Sequence, residues 1–140
     1  MSLNFKLQSF NPAKKYAGFH FFVLNKGLNS GRPMNEPCPN CFVCELETST
    51  EKENLYWIFY ALWQGKRFEQ LLVGSVIPFI RIKETQNLIK ESISKNKLGP
   101  EAFEKAVTIL KTIHEKDLHF QDMAKTLRTL KIALVRDLVR

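Results

Sequence analysis

Residues 55–63, Leu-Tyr-Trp-Ile-Phe-Tyr-Ala-Leu-Trp, form the longest apolar run in the chain and decide its fold class. Odd and even positions are both apolar, so a strand made of these residues would be covered on both faces. Strands of this kind lie at the centre of a sheet. We therefore predict a central strand over residues 55–63, followed by a tight hairpin turn at residues 64–67.

Flanking segments extend the predicted sheet. Aromatic and β-branched side chains bounded by turn residues predict further strands over residues 16–24, 41–47, 68–73 and 76–82. Residues 25–40 hold three prolines and two glycines, which predict a long loop because proline cannot donate a hydrogen bond to a ladder. Residues 48–54 are polar and charged, and they predict a loop as well.

After residue 84, apolar residues recur every three or four positions, which is the spacing of amphipathic helices. We predict helices over residues 85–97, 100–116 and 119–138, with Gly99 and Pro100 separating the first two. The last helix carries two apolar stripes. The stripe expected to be buried consists of Phe120, Met123, Leu127, Leu130, Leu134 and Leu138, and the second consists of Ile132, Val135 and Val139. A helix with two apolar stripes is covered twice, by its own domain or by a second subunit, so the second stripe is a candidate surface for self-association.

These elements predict an α+β fold, with an N-terminal antiparallel sheet of four to six strands followed by about three C-terminal helices packed on one face. A length of 140 residues suits a single domain over residues 1–140, β-rich in residues 1–83 and helical in residues 84–140. No apolar run is long enough to span a bilayer, and residues 1–4 lack the apolar core of a signal peptide. We therefore predict a cytoplasmic location and no membrane partner.

The net charge of +7 is unevenly distributed. Residues 1–35 hold five basic residues and no acid, whereas residues 36–53 hold five acids and one basic residue. Basic residues beside an aromatic strand and a Gly/Pro-rich loop are typical of nucleic-acid contact. The candidate nucleic-acid or anion-binding residues are Lys14, Lys15, Lys26 and Arg32. The alternative is an ordinary solvated surface, because a charge of this size is common for solubility alone.

Three cysteines within seven residues, Cys38, Cys41 and Cys44, form the other conspicuous motif. Cys38 and Cys41 have the spacing of a zinc knuckle, so a zinc-stabilised domain is one alternative. However, the motif supplies three ligands of four, and a strand over residues 41–47 would direct Cys41 and Cys44 to opposite faces. The other interpretation is that the cysteines are buried as small apolar residues. On that interpretation the protein needs no cofactor.

Signatures of catalysis are missing from the sequence. Residues 74–77, Gly-Ser-Val-Ile, lack the second glycine of a nucleophile elbow, and residues 26–32 lack the Gly-Lys-Ser/Thr ending of a phosphate-binding loop. His114 and His119 are five residues apart, which separates them by about 140° on a helix and does not match the zinc-protease pattern. We therefore predict that the protein is not an enzyme.

Residues 26–33 (Lys-Gly-Leu-Asn-Ser-Gly-Arg-Pro), 39–43 (Pro-Asn-Cys-Phe-Val) and 74–80 (Gly-Ser-Val-Ile-Pro-Phe-Ile) resemble segments of a family of small uncharacterised bacterial proteins. Its members belong to gut anaerobes and their conjugative mobile elements, and the resemblance covers most of the chain. The resemblance implies no activity and no catalytic residues. It does imply a bacterial, cytoplasmic setting and an accessory role associated with DNA.

Together, the sequence predicts a non-enzymatic accessory or interaction protein that acts through the loop of residues 26–40. Its predicted partner is a nucleic acid or another protein, with Lys14, Lys15, Lys26 and Arg32 in contact with DNA or RNA. One alternative is a structural module that forms a homodimer through Ile132, Val135 and Val139. The other is a small domain stabilised by zinc.

Overall fold

The computed structural model describes residues 3–140. In chain order its elements are β1 (Lys6–Ser9), β2 (Phe19–Leu24), β3 (Pro33–Met34), β4 (Cys41–Leu46), α1 (Ser49–Gln64), a 3₁₀ turn (Glu69–Leu71), α2 (Ile82–Ser94) and α3 (Pro100–Leu138). The protein is therefore α+β, with a sheet followed by helices. Met1 and Ser2, which enter the prediction of a cytoplasmic location, lie outside the described residues.

The chain divides into two compact units, Met1–Pro100 and Glu101–Arg140. The first contains the sheet, α1 and α2, and the second consists almost entirely of α3. Within residues 3–140, no helix has both the length and the apolarity needed to cross a bilayer.

The four-stranded sheet is antiparallel, with the strand order β1-β4-β2-β3. Its two central strands pair along their whole length, from Phe19 opposite Leu46 to Leu24 opposite Cys41. The strands predicted over residues 16–24 and 41–47 are thus confirmed. The edge strand β3 lies inside the segment predicted as a loop, and its Pro33 occupies the edge position at which a sheet tolerates proline.

One face of the sheet carries the main hydrophobic core. Buried side chains of β2 and β4 pack there with α1 and α2, and the cluster includes Phe21, Val23, Phe42, Cys44, Leu55, Phe59, Phe68, Leu88 and Ile89. The Phe59 ring is stacked with Phe68 at a centroid distance of 5.8 Å and meets Phe21 edge-on at 5.6 Å. The two helices therefore cover this face through an aromatic centre.

The other sheet face carries a smaller cluster of Phe22, Cys41 and Val43. Partly buried side chains from the chain segments on either side of β2 cover it, namely Phe10, Tyr16, Met34 and Cys38. The Phe22 ring meets Phe10 edge-on at 5.5 Å. Met34 and Cys38 belong to the predicted loop of residues 25–40, so that segment covers part of this face.

The prediction of a central strand over residues 55–63 is wrong, because this run lies within α1. The signal that decides its structure precedes it. Thr48 Oγ1 accepts a hydrogen bond from the backbone N–H of Glu51 at 3.1 Å, which caps the helix start. The Glu51 carboxylate in the first turn also suits the positive end of the helix dipole. Residues 48–54, predicted as a loop, are therefore the cap and first turns of α1.

Side chains four residues apart stabilise α1 once it is nucleated. Leu55 and Phe59 are both fully buried on the face that packs on the sheet. On another face the indole N–H of Trp57 donates a hydrogen bond to Glu53 at 3.1 Å. Residues four apart lie one turn apart on a helix, where their side chains can touch. In a strand the same residues would lie on one side but too far apart for contact.

The strands predicted over residues 68–73 and 76–82 are also wrong. The first segment contains the 3₁₀ turn, and pairing is limited to isolated bridges of Phe79 with Val73 and with Lys26. Residues 64–67 accordingly form a turn after a helix and do not join two strands. The helical part of the chain begins at Ser49, well before residue 84, and α2 begins at Ile82, three residues earlier than predicted.

The predicted break between residues 116 and 119 is absent, because α3 is one helix of 39 residues. It begins at Pro100, the predicted restart position. The residues at the expected break, Asp117 and Leu118, include no glycine or proline. Without a residue that disfavours helical backbone, the helix continues.

Candidate interaction surfaces

Exposed apolar side chains are concentrated on α3. The stripe predicted to be buried is exposed, with values from 47% at Met123 to 74% at Leu138 for the set Phe120, Met123, Leu127, Leu130, Leu134 and Leu138. That prediction is wrong, because periodicity identifies an apolar face but not what covers it. Ile109 and Ile113 extend the exposed stripe towards the start of the helix.

This stripe follows a seven-residue repeat. Starting at Ile109, the spacing alternates between four and three residues, as at the a and d positions of a coiled coil. We call these nine positions the α3 seam: Ile109, Ile113, Lys116, Phe120, Met123, Leu127, Leu130, Leu134 and Asp137. The a positions are Ile113, Phe120, Leu127 and Leu134, and all four are apolar. The spacing is visible in the sequence, but the predicted helix break between residues 116 and 119 hid its length.

The second stripe lies on another side of α3. Ile132, Val135 and Val139 are all exposed, as self-association through them requires. Two of them fall at the f position of the repeat, which is furthest from the seam, and Val135 falls at b. Lys125 occupies the preceding f position and interrupts this row. The second stripe is therefore shorter than the seam and less continuous.

Two of the predicted nucleic-acid residues, Lys14 and Lys15, lie in an exposed segment between β1 and β2. The Lys14 ammonium lies 5.4 Å from the centre of the Tyr16 ring, a cation–π distance. The Tyr16 hydroxyl accepts a hydrogen bond from the backbone N–H of Asn11 at 3.0 Å. This segment is thus anchored to the smaller cluster on the sheet, with its cations directed to the surface.

The other two predicted cations have different surroundings. Lys26 lines an open groove of ≈ 420 Å³ together with Cys38 and Ile77. Burial raises the pKa of Tyr56 on α1, and the positive charge of Arg32 opposes that shift. Arg32 therefore acts on the helix-covered side of the sheet, whereas Lys14 lies beside the other side. The structure brings Lys26 close to the cysteine segment and does not gather the four cations into one cluster.

Backbone amides of the glycine-rich segment are already engaged. The N–H groups of Ser30, Gly31 and Arg32 donate to the carbonyls of Gly27, Leu24 and Asn29, respectively. The Gly27 N–H donates to Pro78 at 2.7 Å. These four amides hold the loop in place, so they are not available as donors to an anion.

The three cysteines are free thiols on two faces of the sheet. The Cys41 thiol donates to the Cys38 carbonyl at 3.1 Å in the smaller cluster, whereas Cys44 is fully buried in the main core. Burial raises the pKa of Cys41 to about 11 and raises that of Cys44 as well. Within the described part of the chain, no group of three or more His, Cys, Asp or Glu side chains could hold a metal ion.

The fold and these surfaces define an α+β protein with a long, amphipathic C-terminal helix. The chain belongs to DUF6943, a family of unknown function whose family model matches residues 7–137. The predicted membership of an uncharacterised family is thus confirmed over nearly the whole chain. No curated protein and no solved structure matches the chain.

Proposed function

We propose that this chain is a non-enzymatic interaction protein that acts by packing the α3 seam against another helix. The supporting observation is the exposure of seven apolar seam side chains, between 47% and 62% each. Contiguous apolar surface of this kind marks an interaction site on a water-soluble helix. An amphipathic helix pairs through such a stripe because anchors three and four residues apart line one face.

Site-specific photo-crosslinking in the cells that produce the protein tests this proposal. A p-benzoylphenylalanine in place of Leu127 lies on the seam, and the same group in place of Lys125 lies on the far side of α3 as a matched control. We expect a covalent protein adduct, identified by mass spectrometry, from the Leu127 position and not from Lys125. The proposal fails if Phe120, Leu127 and Leu134 positions all yield no adduct.

A second candidate function is contact with nucleic acid through the basic segment around Lys14 and Lys15. The observation that favours it is the Lys14 ammonium over the Tyr16 ring, beside an exposed second lysine. Cations combined with an accessible aromatic ring are what sequence-independent binding of single strands uses. The resemblance to proteins of mobile elements favours DNA as the ligand.

Titration with generic duplex and single-stranded DNA at about 50 and 200 mM salt tests this second function. We expect affinity to fall steeply with salt, and the double variant K14E/K15E to flatten that dependence. The double variant K83E/K90E makes the same charge change on exposed residues of α2 and serves as the control. Absence of binding at about 50 mM salt, or equal losses in both double variants, would remove the candidate.

A further inference from the structure

The partner of the α3 seam follows from its length and its flanking charges. We infer that the seam binds a second copy of this chain and that the two α3 helices pair in antiparallel orientation. This inference rests on the proposed function, because both require the seam to be an interface. It adds the identity of the partner and the direction of pairing.

The exposed area is large enough for a stable dimer. Seven apolar seam side chains and Leu138, each about half to three quarters exposed, present on the order of 900 Å² per chain. A standard stable interface buries about 800 Å² per partner. The apolar seam spans almost four heptads, which matches the length at which heptad patterning specifies a coiled coil. A second identical seam would cover the whole stripe.

Charges inside the seam argue against parallel pairing. Its two polar positions, Lys116 and Asp137, are both d positions. In a parallel, in-register pair each d residue faces its own copy, so two lysines and two aspartates would meet. In an antiparallel pair each d residue faces an a residue, and every a position of this seam is apolar. The Lys116 stem can then pack on the partner while its ammonium reaches water.

Charges beside the seam favour the antiparallel arrangement. Asp117 and Lys131 occupy e positions two heptads apart, on either side of Ala124, which is also an e position. In antiparallel coiled coils e positions flank e positions. A two-fold axis near Ala124 therefore brings Asp117 of each copy beside Lys131 of the other, which gives two opposite-charge pairs. In a parallel dimer the g positions that would face these two charges are Thr112 and Thr126, and neither carries a charge.

A charge-swap experiment on the full-length protein tests both partner and orientation. D117K places cations at both e positions, and K131D places anions at both. We expect the wild-type chain to be a dimer by sedimentation equilibrium and each variant to weaken that dimer at least about tenfold. An equimolar mixture of the two variants restores dimers, which native mass spectrometry identifies as heterodimers by their intermediate mass.

Matched controls separate this effect from overall charge. D122K and K125D make the same substitutions at exposed c and f positions of α3, and we expect both to dimerise as the wild type does. L127K should dissociate the dimer, whereas I132K, on the second stripe, should not. If I132K dissociates the dimer and L127K does not, the second stripe is the interface and the inference is wrong.

Remaining outcomes distinguish this inference from the proposed function. A monomeric wild-type chain whose Leu127 photoprobe still captures another protein overturns the homodimer and leaves the interaction function standing. A dimer that the mixture of D117K and K131D does not restore overturns the antiparallel orientation. A monomeric chain without any seam adduct overturns both.

Discussion

Gly31 shows how one residue constrains the packing beneath the loop. Its backbone has φ +99°, and a methyl group in place of its hydrogen would lie 2.1 Å from Cδ2 of Phe68. The Phe68 ring is itself buried and stacked on Phe59, so it has no room to withdraw. Glycine is required here for two independent reasons, its backbone conformation and the close approach of an aromatic ring.

We expect Gly31→Ala to lower the free energy of unfolding by about 3 kcal/mol or more, since backbone strain and overpacking add. Gly27→Ala is the control, because it has a similar φ of +93° and no neighbouring atom within 4 Å. That variant should lose only about 1–2 kcal/mol. Urea unfolding followed by tryptophan fluorescence measures both, and similar losses would contradict the packing argument.

The buried Cys41 thiol should make the free energy of unfolding depend on pH in the alkaline range. Burial raises the pKa of its thiol from the ordinary value of 9.0 to about 11. Above pH 9 the unfolded chain releases a proton that the folded chain retains, so the free energy of unfolding falls between pH 9 and about 11. We expect the wild type to lose about 1 kcal/mol more than Cys41→Ala between pH 8 and pH 10 in urea unfolding. Parallel pH profiles of the two proteins would contradict this expectation.

At the scale of elements, α1 and α3 both depend on signals at their ends. The capping sequence from Thr48 to Glu51 converts a strand-like apolar run into a helix, because a satisfied first turn removes the main obstacle to nucleation. The helix α3 continues to Leu138 because no glycine or proline follows Pro100 within it. The pattern of apolar residues alone predicted neither the helix over residues 55–63 nor the unbroken length of α3.

We expect Thr48→Ala to destabilise the protein by about 1 kcal/mol, because the backbone N–H of Glu51 loses its acceptor. Thr50→Ala, within the exposed first turn, should change stability by less than about 0.5 kcal/mol. Both tryptophans, Trp57 and Trp63, lie in α1, so fluorescence during urea unfolding reports directly on this element. Equal effects of the two substitutions would show that the cap is not stabilising.

At the scale of the whole molecule, the antiparallel homodimer predicts that stability depends on concentration. Association of folded chains stabilises them by mass action, so the melting temperature should rise with protein concentration. Circular dichroism of the helical signal over a hundredfold concentration range measures this. L127K should remove the dependence, and K125D should retain it. A concentration-independent melting temperature in the wild type would contradict the dimer.

Much of the architecture was predictable from local sequence. Strands β2 and β4 follow from short, β-branched and aromatic runs between turn residues, and the start of α3 follows from Gly99 and Pro100. Opposite placement of Cys41 and Cys44 follows from the alternation of a strand. The surroundings of Arg32 were not predictable, because Tyr56 on α1, which is distant in sequence, decides them.

The sequence by itself determined the α+β class, the existence of strands β2 and β4 and the heptad spacing of α3, because these depend on local geometry and short-range preference. Only the tertiary structure decided which face of residues 55–63 packs on the sheet and that the apolar side chains of the seam are exposed. Apolar periodicity is a property of the chain, whereas burial depends on which surfaces meet. For this reason the stripe of α3 that was expected to be buried is exposed, and we propose it as the interface.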